Sequence, residues 1–248
     1  YEVNKPAQLK AQLKKAFEDI IKRAAAGTAA SVLASGEGSG ANLVQAVFYP
    51  RRQFGNVEID WIGRLTNLWY YVDPFFNNSN IREDDGDKVL TLKTDATHHD
   101  YIAQLYFDTT TEVTKAHRWE DTDGDAVING ALPDLEFESM GNLWEAGSLL
   151  WSRDLSTSPR TIHTSAGSGL ITFSTANATT LMPYLAVADA AAAQQLISYV
   201  HGEDFYDYRP RSVSINGVGP KTWKLGDVLN STPKIASWLP LNKYHKLY

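Results

Sequence analysis

The sequence predicts a β-rich α+β fold, built from short antiparallel strands in a meander or propeller-like arrangement. Aromatic and β-branched residues cluster in short runs, separated by Gly, Asn and Asp turn signals at roughly ten-residue spacing. Two segments depart from this pattern and predict helices: an amphipathic helix at the N-terminus and an Ala-rich helix over residues 187–201.

The N-terminal helix is predicted over residues 1–27. Asn4 is suited to cap it, Pro6 to occupy its first turn, and Gly27 to end it. Its apolar face is formed by Leu9, Leu13, Phe17, Ile20, Ile21 and Ala24. We therefore divide the chain into this helix and a β-rich region over residues 28–248.

The predicted strands of the β-rich region are short runs rich in aromatic and β-branched residues. They cover residues 28–35, 43–50, 58–74, 89–92, 100–108, 160–165 and 169–174. Residues 77–88 are predicted as a turn, residues 141–154 as a helix, and residues 211–234 as a turn-rich tail.

Composition excludes several classes of protein. The formal charge of −6 is unfavourable for nucleic-acid binding, and no apolar run is long enough to span a membrane. Cysteine is absent, which excludes disulfides, zinc thiolates and cysteine nucleophiles. Neither end resembles a natural terminus, so we expect a fragment of a longer protein.

An Asp-rich stretch, "DTDGDAVIN", is the strongest candidate site. With Asp121 at position 1, Asp123 and Asp125 take positions 3 and 5, the Val127 carbonyl position 7 and Asn129 position 9. Alternating oxygen ligands in a tight loop are typical of EF-like and dockerin-like calcium sites. The sequence therefore predicts a Ca²⁺ site in this loop.

The closing ligand of the predicted calcium loop is altered. Position 12 is Leu132, where an EF-hand has a bidentate Glu. We expect Asp134, Glu136 or Glu138 to replace it. An unliganded polar turn is the alternative, although three aspartates this close repel one another without a cation.

Other polar groups predict no site. Residues 82–88, "REDDGDK", suggest a solvated turn, and adjacent His98, His99 and Asp100 suggest surface positions. Serine-nucleophile and dinucleotide-loop templates fail because their glycine spacing is wrong, and no carboxylate pair stands out. The sequence thus predicts a non-enzymatic protein.

Four segments resemble, in the same order, the PilY/PilC family of type IV pilus biogenesis and tip-adhesin proteins. They are "DWIGRL" (60–65), "GNLWEAGSLLWSRD" (141–154), "QQLISYVHGED" (194–204) and "WKLGDVLNSTPK" (223–234). The last carries the family signature, matched here by Trp223, Leu225, Gly226, Asp227, Asn230, Ser231 and Pro233. His201 departs from the family, which usually has Arg there.

The resemblance implies an exported protein on the extracellular or outer-membrane surface, associated with the pilus tip. It implies adhesion and pilus biogenesis as functions and pilin or minor pilin subunits, with host or surface glycans, as partners. It also implies that the chain precedes a β-propeller and that residues 1–27 end a von Willebrand factor A-like domain. The family's propeller calcium ligands do not transfer to Asp121, Asp123 or Asp125.

Two other function classes stay open. Quinoprotein-like propeller enzymes also use calcium, and the abundant aromatic residues permit such a protein. A calcium-dependent carbohydrate-binding module would use exposed Trp and Tyr residues near the acidic loop.

Overall fold

The structure is a computed structural model that describes residues 10, 12–14, 30–35, 40–73, 75–111, 113–167, 169–228 and 233. Residue 10 and residues 12–14 are helical. The other residues of the predicted N-terminal helix, and the domain boundary predicted at residue 27, lie outside this description.

The described chain forms two compact units. The first comprises the described residues of Tyr1–Arg51, Asp60–Ala146 and Gly226–Tyr248. The second comprises Arg52–Ile59 and Gly147–Leu225.

The first unit is organised by an antiparallel sheet of eight strands. Strands β1 to β7 follow one another across the sheet in chain order, which makes it a meander, and β8 pairs with β3. The strands are β1 (Ala30–Ser35), β2 (Gly40–Phe54), β3 (Val57–Tyr71), β4 (Asn80–Glu83), β5 (Tyr101–Asp108), β6 (Val113–Glu120), β7 (Gly130–Glu136) and β8 (Trp144–Glu145). The β-rich, antiparallel α+β prediction is confirmed.

The core of the first unit lies on one face of this meander. Every second residue of a strand points to the same face, so β-branched and aromatic residues can bury one side of the sheet. The buried cluster is Val47, Leu68, Ala103, Ala116, Phe137 and Met140, the last two from a 3-10 turn at Phe137–Ser139 and the residue after it.

The second unit combines helices with two hairpins. Its helices are α1 (Ala146–Ser152), α2 (Ala178–Leu185) and α3 (Ala190–His201), and its further strands are β9 (His163–Ala166), β10 (Gly169–Thr172), β11 (Ser212–Ile215) and β12 (Val218–Thr222). Ala178 and Leu181 of α2 pack against Ala193 and Ile197 of α3. This contact forms a small core of its own.

Helix α3 begins and ends as its sequence dictates. The Asp189 carboxylate accepts a hydrogen bond of 2.8 Å from the Ala192 N–H, as an N-cap residue does. Gly202 ends the helix with φ +130°, a conformation that side chains disfavour. No helix in the described part of the chain has the length and apolar character needed to cross a membrane.

Several predictions about individual segments differ from the structure, and strands β6 and β7 were not predicted. Residues 89–92 form no strand, whereas Asn80–Glu83 is a strand within a segment predicted to be a turn. Helix α2 was not predicted, and the turn-rich tail contains the β11–β12 hairpin.

Candidate metal centre

The predicted calcium loop connects β6 to β7. The Asn129 N–H donates to the Glu120 carbonyl at 3.0 Å and thereby closes the loop. Gly124 (φ +80°) and Ala126 (φ +63°) adopt the left-handed conformation that reverses the chain. Carboxylate oxygens of Asp121, Asp123 and Asp125 lie within 4.8 Å of one another, so the structure brings the three predicted aspartates together.

Asp121 anchors the loop from inside the protein. Its side chain is fully buried, and its Oδ1 accepts the Gly124 N–H at 2.8 Å. Its Oδ2 accepts the Ala126 N–H at 3.1 Å and an Arg82 Nη2–H at 2.5 Å. A carboxylate has about four lone-pair sites. One site on Oδ1 therefore remains for a cation.

Arg82, on β4, was not anticipated from the sequence. Its side chain is also fully buried, and it neutralises Asp121. Its other donors bind the Asn80 side chain at 2.8 Å and the carbonyls of Leu92 and Asp100 at 3.0 and 3.3 Å. Arg82 therefore joins three neighbouring segments beneath the acidic loop.

Asp123 and Asp125 carry the exposed charge of the loop. Asp125 Oδ1 accepts the Val127 N–H at 2.8 Å, which stabilises the local turn. Asp123 is exposed, and its carboxylate has no hydrogen-bond partner within the described ranges. These two side chains are placed to bind a cation at the protein surface.

The remaining predicted ligands are differently engaged. Val127 lies on the same loop and is 46% exposed. The Asn129 Oδ1 accepts both the backbone N–H and the hydroxyl of Thr122, at 2.5 and 2.9 Å. Asn129 thus fastens the two ends of the loop to each other.

The structure does not bring the proposed replacement ligands to the three aspartates. Strands rise about 3.3 Å per residue, which places Asp134 about 13 Å and Glu136 about 20 Å along β7 from Gly130. Glu136 lies opposite Lys115 on β6. Glu138, beyond the strand, is 3.6 Å from an Arg64 nitrogen.

Asp134 belongs to a separate polar and aromatic cluster. Its Oδ2 accepts the Tyr106 hydroxyl at 2.7 Å, and its Oδ1 is 3.0 Å from His117 Nδ1. The hydrogen bond to Asp134 raises the pKa of Tyr106 to about 12. The rings of Tyr106 and His117 stack 4.0 Å apart, and Trp119 lies 5.8 Å from His117.

The segment predicted as a solvated acidic turn, residues 82–88, is buried in its first half and exposed from Asp85 to Lys88. Arg82, Glu83 and Asp84 are at most 6% exposed. Asp84 binds the Lys88 amino group at 2.8 Å. The backbone N–H of Thr94, six residues beyond this segment, donates to the Asp121 carbonyl at 2.8 Å and so contacts the calcium loop.

Asp100, predicted to lie at the surface, is fully buried. Its carboxylate accepts the N–H groups of Asp85 and Thr91 at 3.0 and 2.7 Å. Burial raises the pKa of Asp100 to about 6; these hydrogen bonds oppose the shift, and the charges of Asp84 and Asp85 increase it. The surface prediction failed because local sequence does not show what covers a residue.

Segments that carry the family resemblance meet in the first unit. Ile62 forms a β-bridge with Gly226, and a Cβ placed on Gly63 would lie 2.3 Å from the Gly226 carbonyl oxygen. Real Cβ atoms essentially never approach so closely, so this contact requires glycine. The Arg64 side chain lies 3.8 Å from the Glu145 carboxylate, where β8 pairs with β3.

Of the other signature residues, Trp223 and Leu225 lie in the second unit, and Asp227 and Pro233 belong to the first. Trp223 is 2% exposed, and its backbone N–H donates to the Arg211 carbonyl at 2.7 Å. The Arg211 side chain binds Asp204 at 3.2 Å, which connects the signature to the segment following α3. Leu225 and Pro233 are half-buried and Asp227 is exposed, whereas Asn230 and Ser231 lie outside the described residues.

His201 is the residue at which the chain departs from the pattern of the resembled family. Its Nε2 lies 2.6 Å from the Phe173 carbonyl oxygen, at the C-terminal end of α3. No protein-family model matches the chain, and no curated protein or solved structure matches it.

Proposed function

We propose that this chain is a non-enzymatic module of a PilY/PilC-like cell-surface protein whose acidic loop binds Ca²⁺. The observation that carries the calcium proposal is the clustering of Asp121, Asp123 and Asp125 within 4.8 Å. Hard oxygen ligands of this kind suit Ca²⁺ better than a transition metal. The ion would stabilise the β6–β7 connection and take no part in catalysis.

The expected affinity follows from the number of ligands. One free lone pair on Asp121, the carboxylates of Asp123 and Asp125, and the Val127 carbonyl supply four positions, whereas Ca²⁺ takes six to eight oxygens. Water would complete the shell. We therefore expect a dissociation constant of about 10⁻⁴–10⁻³ M, as in extracellular calcium modules.

The pilus proposal rests on the ordered family segments and on their contacts. The match at residues 60–65 contacts the signature through Gly63 and Gly226. It also contacts the match at residues 141–154 through Arg64 and Glu145. The matched segments are distant in sequence but contact one another in space. This supports the interpretation that they belong to one structural signature and do not match by chance. A propeller blade is also an antiparallel meander, although of four strands and not eight, so only the strand order of this sheet agrees with the propeller-like interpretation.

We propose an extracellular or outer-membrane location and pilin or minor pilin partners. The direct experiment is capture of purified minor pilins by this chain, with and without calcium. Binding that is lost on chelation, and in an Asp123→Asn/Asp125→Asn variant, would support the proposal. Absence of capture, together with unchanged pilus assembly after deletion of the parent gene, would contradict it.

A carbohydrate-binding module is the second candidate, favoured by the aromatic row on β5 and β6. Tyr106 and His117 stack, Trp119 lies tilted beside His117, and all three are partly exposed. Asp134 lies within hydrogen-bond distance of the first two. Aromatic faces flanked by carboxylates suit sugar rings. Glycan-array binding lost in Trp119→Ala would favour this function over a purely structural one.

A further inference from the structure

A cavity of about 350 Å³ in the second unit is lined by three cations. They are Arg153, just after α1, and Lys221 and Lys224, in and after β12. The one carboxylate in the lining is Asp154. The cavity therefore carries a formal side-chain charge of +2, in a chain whose overall charge is −6.

Neutral carbonyl groups, and no carboxylates, hold these cations. Lys224 Nζ donates to the carbonyls of Leu150 and Trp151 at 3.0 and 3.3 Å and to that of Thr222 at 3.2 Å. Lys221 Nζ donates to the Ser152 carbonyl at 3.2 Å.

Arg153 is held in the same way. Its Nε and Nη2 donate to the carbonyls of Ser158 and Pro159 at 2.7 and 2.8 Å. Within the described ranges, neither Arg153 nor the two lysines has a carboxylate at salt-bridge distance.

Local structure offsets only part of this positive charge. Each helix C-terminus presents about half a negative charge, and α1 and α3 both end near these groups. The Asp154 carboxylate accepts the N–H and hydroxyl of Ser156 at 2.9 and 2.7 Å and so serves its own turn. Positive charge remains in the cavity after both contributions.

Hydrogen-bond donors also remain. An ammonium group has three N–H donors and a guanidinium five. Lys221 uses one of its three, and Arg153 uses two of its five. Five donors on these two side chains thus form no hydrogen bond within the described residues, and the Lys221 ammonium also lies 5.5 Å from the centre of the Trp151 ring. Lys224 contributes charge, because its three donors are engaged.

We propose that this cavity binds a tetrahedral oxyanion, the phosphate or sulfate group of a small ligand. A phosphate monoester carries about −1.5 to −2 charge at pH 7 and so comes close to balancing the formal side-chain charge of +2, whereas a sulfate ester carries −1. The oxygens of either group accept bonds from several directions, which a planar carboxylate does less well. Arg153 and Lys221 would contact the anion, and Lys224 would act through its charge.

A consequence concerns Lys224. Burial, followed by the charges of Arg160 and Lys221, lowers the pKa of the Lys224 amino group. A bound oxyanion opposes both effects because it favours the charged form. The Lys224 pKa should therefore rise when phosphate binds, which NMR of the labelled lysine side chain would measure.

The test uses inorganic phosphate, titrated calorimetrically at constant ionic strength in calcium-free buffer. Saturable binding is expected, and Arg153→Gln and Lys221→Gln should each weaken it by about tenfold, the loss of one charge-assisted hydrogen bond. Lys10→Gln, which removes an exposed lysine that does not line the cavity, should leave it unchanged. Circular dichroism verifies that each variant folds.

Parallel titrations with O-phosphoserine and N-acetylglucosamine 6-sulfate separate the two sources of the anion. Stronger binding of one ester identifies the ligand class. Absence of saturable binding for all three compounds would overturn the proposal. Binding that both Arg153→Gln and Lys221→Gln retain in full would also overturn it, because the anion would then be held elsewhere.

Discussion

Replacing Arg82 by Met should strongly destabilise the first unit. Met keeps much of the apolar volume but removes the charge that neutralises Asp121, and both side chains are fully buried. Leaving one member of a buried ion pair unpaired costs about 3–5 kcal/mol. Two backbone N–H bonds to Asp121 remain, so we expect a loss of about 3 kcal/mol, the lower end of this range.

Urea unfolding followed by circular dichroism and tryptophan fluorescence measures this loss. Arg51→Met is the matched control, because the Arg51–Asp60 pair is also short, at 2.7 Å against 2.5 Å for Arg82–Asp121, but its side chains are 27% and 41% exposed. An exposed pair contributes at most about 1 kcal/mol.

A double-mutant cycle with Asp121→Asn isolates the pair. Removing both charges should cost less than the sum of the single changes, with a coupling energy of about 1–3 kcal/mol. If Arg82→Met costs no more than Arg51→Met, the claim that Arg82 holds the acidic loop is wrong.

Three further predictions concern stability. Because the pKa of Asp100 is raised to about 6 in the folded protein, its contribution to the free energy of unfolding should fall by roughly 2 kcal/mol as pH rises from about 4 to about 6. Chemical denaturation of the unmodified and Asp100→Asn proteins at each pH should show this contribution as a difference between their pH profiles, and identical profiles would contradict it. Gly63→Ala should lower the free energy of unfolding by about 1–3 kcal/mol, because the added Cβ would meet the Gly226 carbonyl. Gly169→Ala, which has open space around it, should cost much less. Equal losses of stability in thermal unfolding would contradict the close contact. Asp189→Ala should lower the free energy of unfolding by about 1 kcal/mol, because helix α3 loses its N-cap. Hydrogen exchange should then show faster opening of the first turn of that helix. Unchanged exchange in this turn would show that the cap is dispensable.

Long, strongly patterned elements were predictable from the sequence. Strand β3 is rich in β-branched and aromatic residues, and α3 combines an Ala-rich run with a terminal glycine. Both elements carry their signal within their own residues, so no tertiary information was needed.

Short elements depend on partners that the sequence does not reveal. Residues 89–92 have strand-like composition but pair with no strand, and the Leu92 carbonyl accepts a bond from Arg82 instead. The sequence of strand β4 is polar because Arg82 and Glu83 are charged. Their burial in a strand is explained by the ion pairs that they form with Asp121 and Arg118. Propensity was overridden by tertiary structure in both cases.

The β11–β12 hairpin was missed although its signal is present. Asn216 and Gly217 have φ of +50° and +77°, as a type I′ turn requires, and Asn-Gly between strand-like runs is a strong hairpin signal. Helix α2 carries two threonines and an internal Pro183, which together obscure its periodicity.

The part of the candidate metal centre that is formed by residues close in sequence could be predicted. Asp121, Asp123 and Asp125 are four residues apart at most, so loop geometry alone brings them together. Arg82 is 39 residues from Asp121, and no local pattern connects them. The hydrogen bond from Thr122 to Asn129 could not be predicted either. An asparagine amide at this position is equally suited to bind a metal ion and to connect the two ends of the loop.

Calorimetric titration of Ca²⁺ tests the central proposal most directly. One site is predicted, with a dissociation constant of about 10⁻⁴–10⁻³ M, and a 100-fold excess over that constant should stabilise the protein by about 2.7 kcal/mol. Asp123→Asn/Asp125→Asn should abolish the site, and Asp134→Asn, on β7 away from the loop, should retain it. Absence of calcium binding in the unmodified chain, or binding that survives the double substitution, would contradict the proposed site.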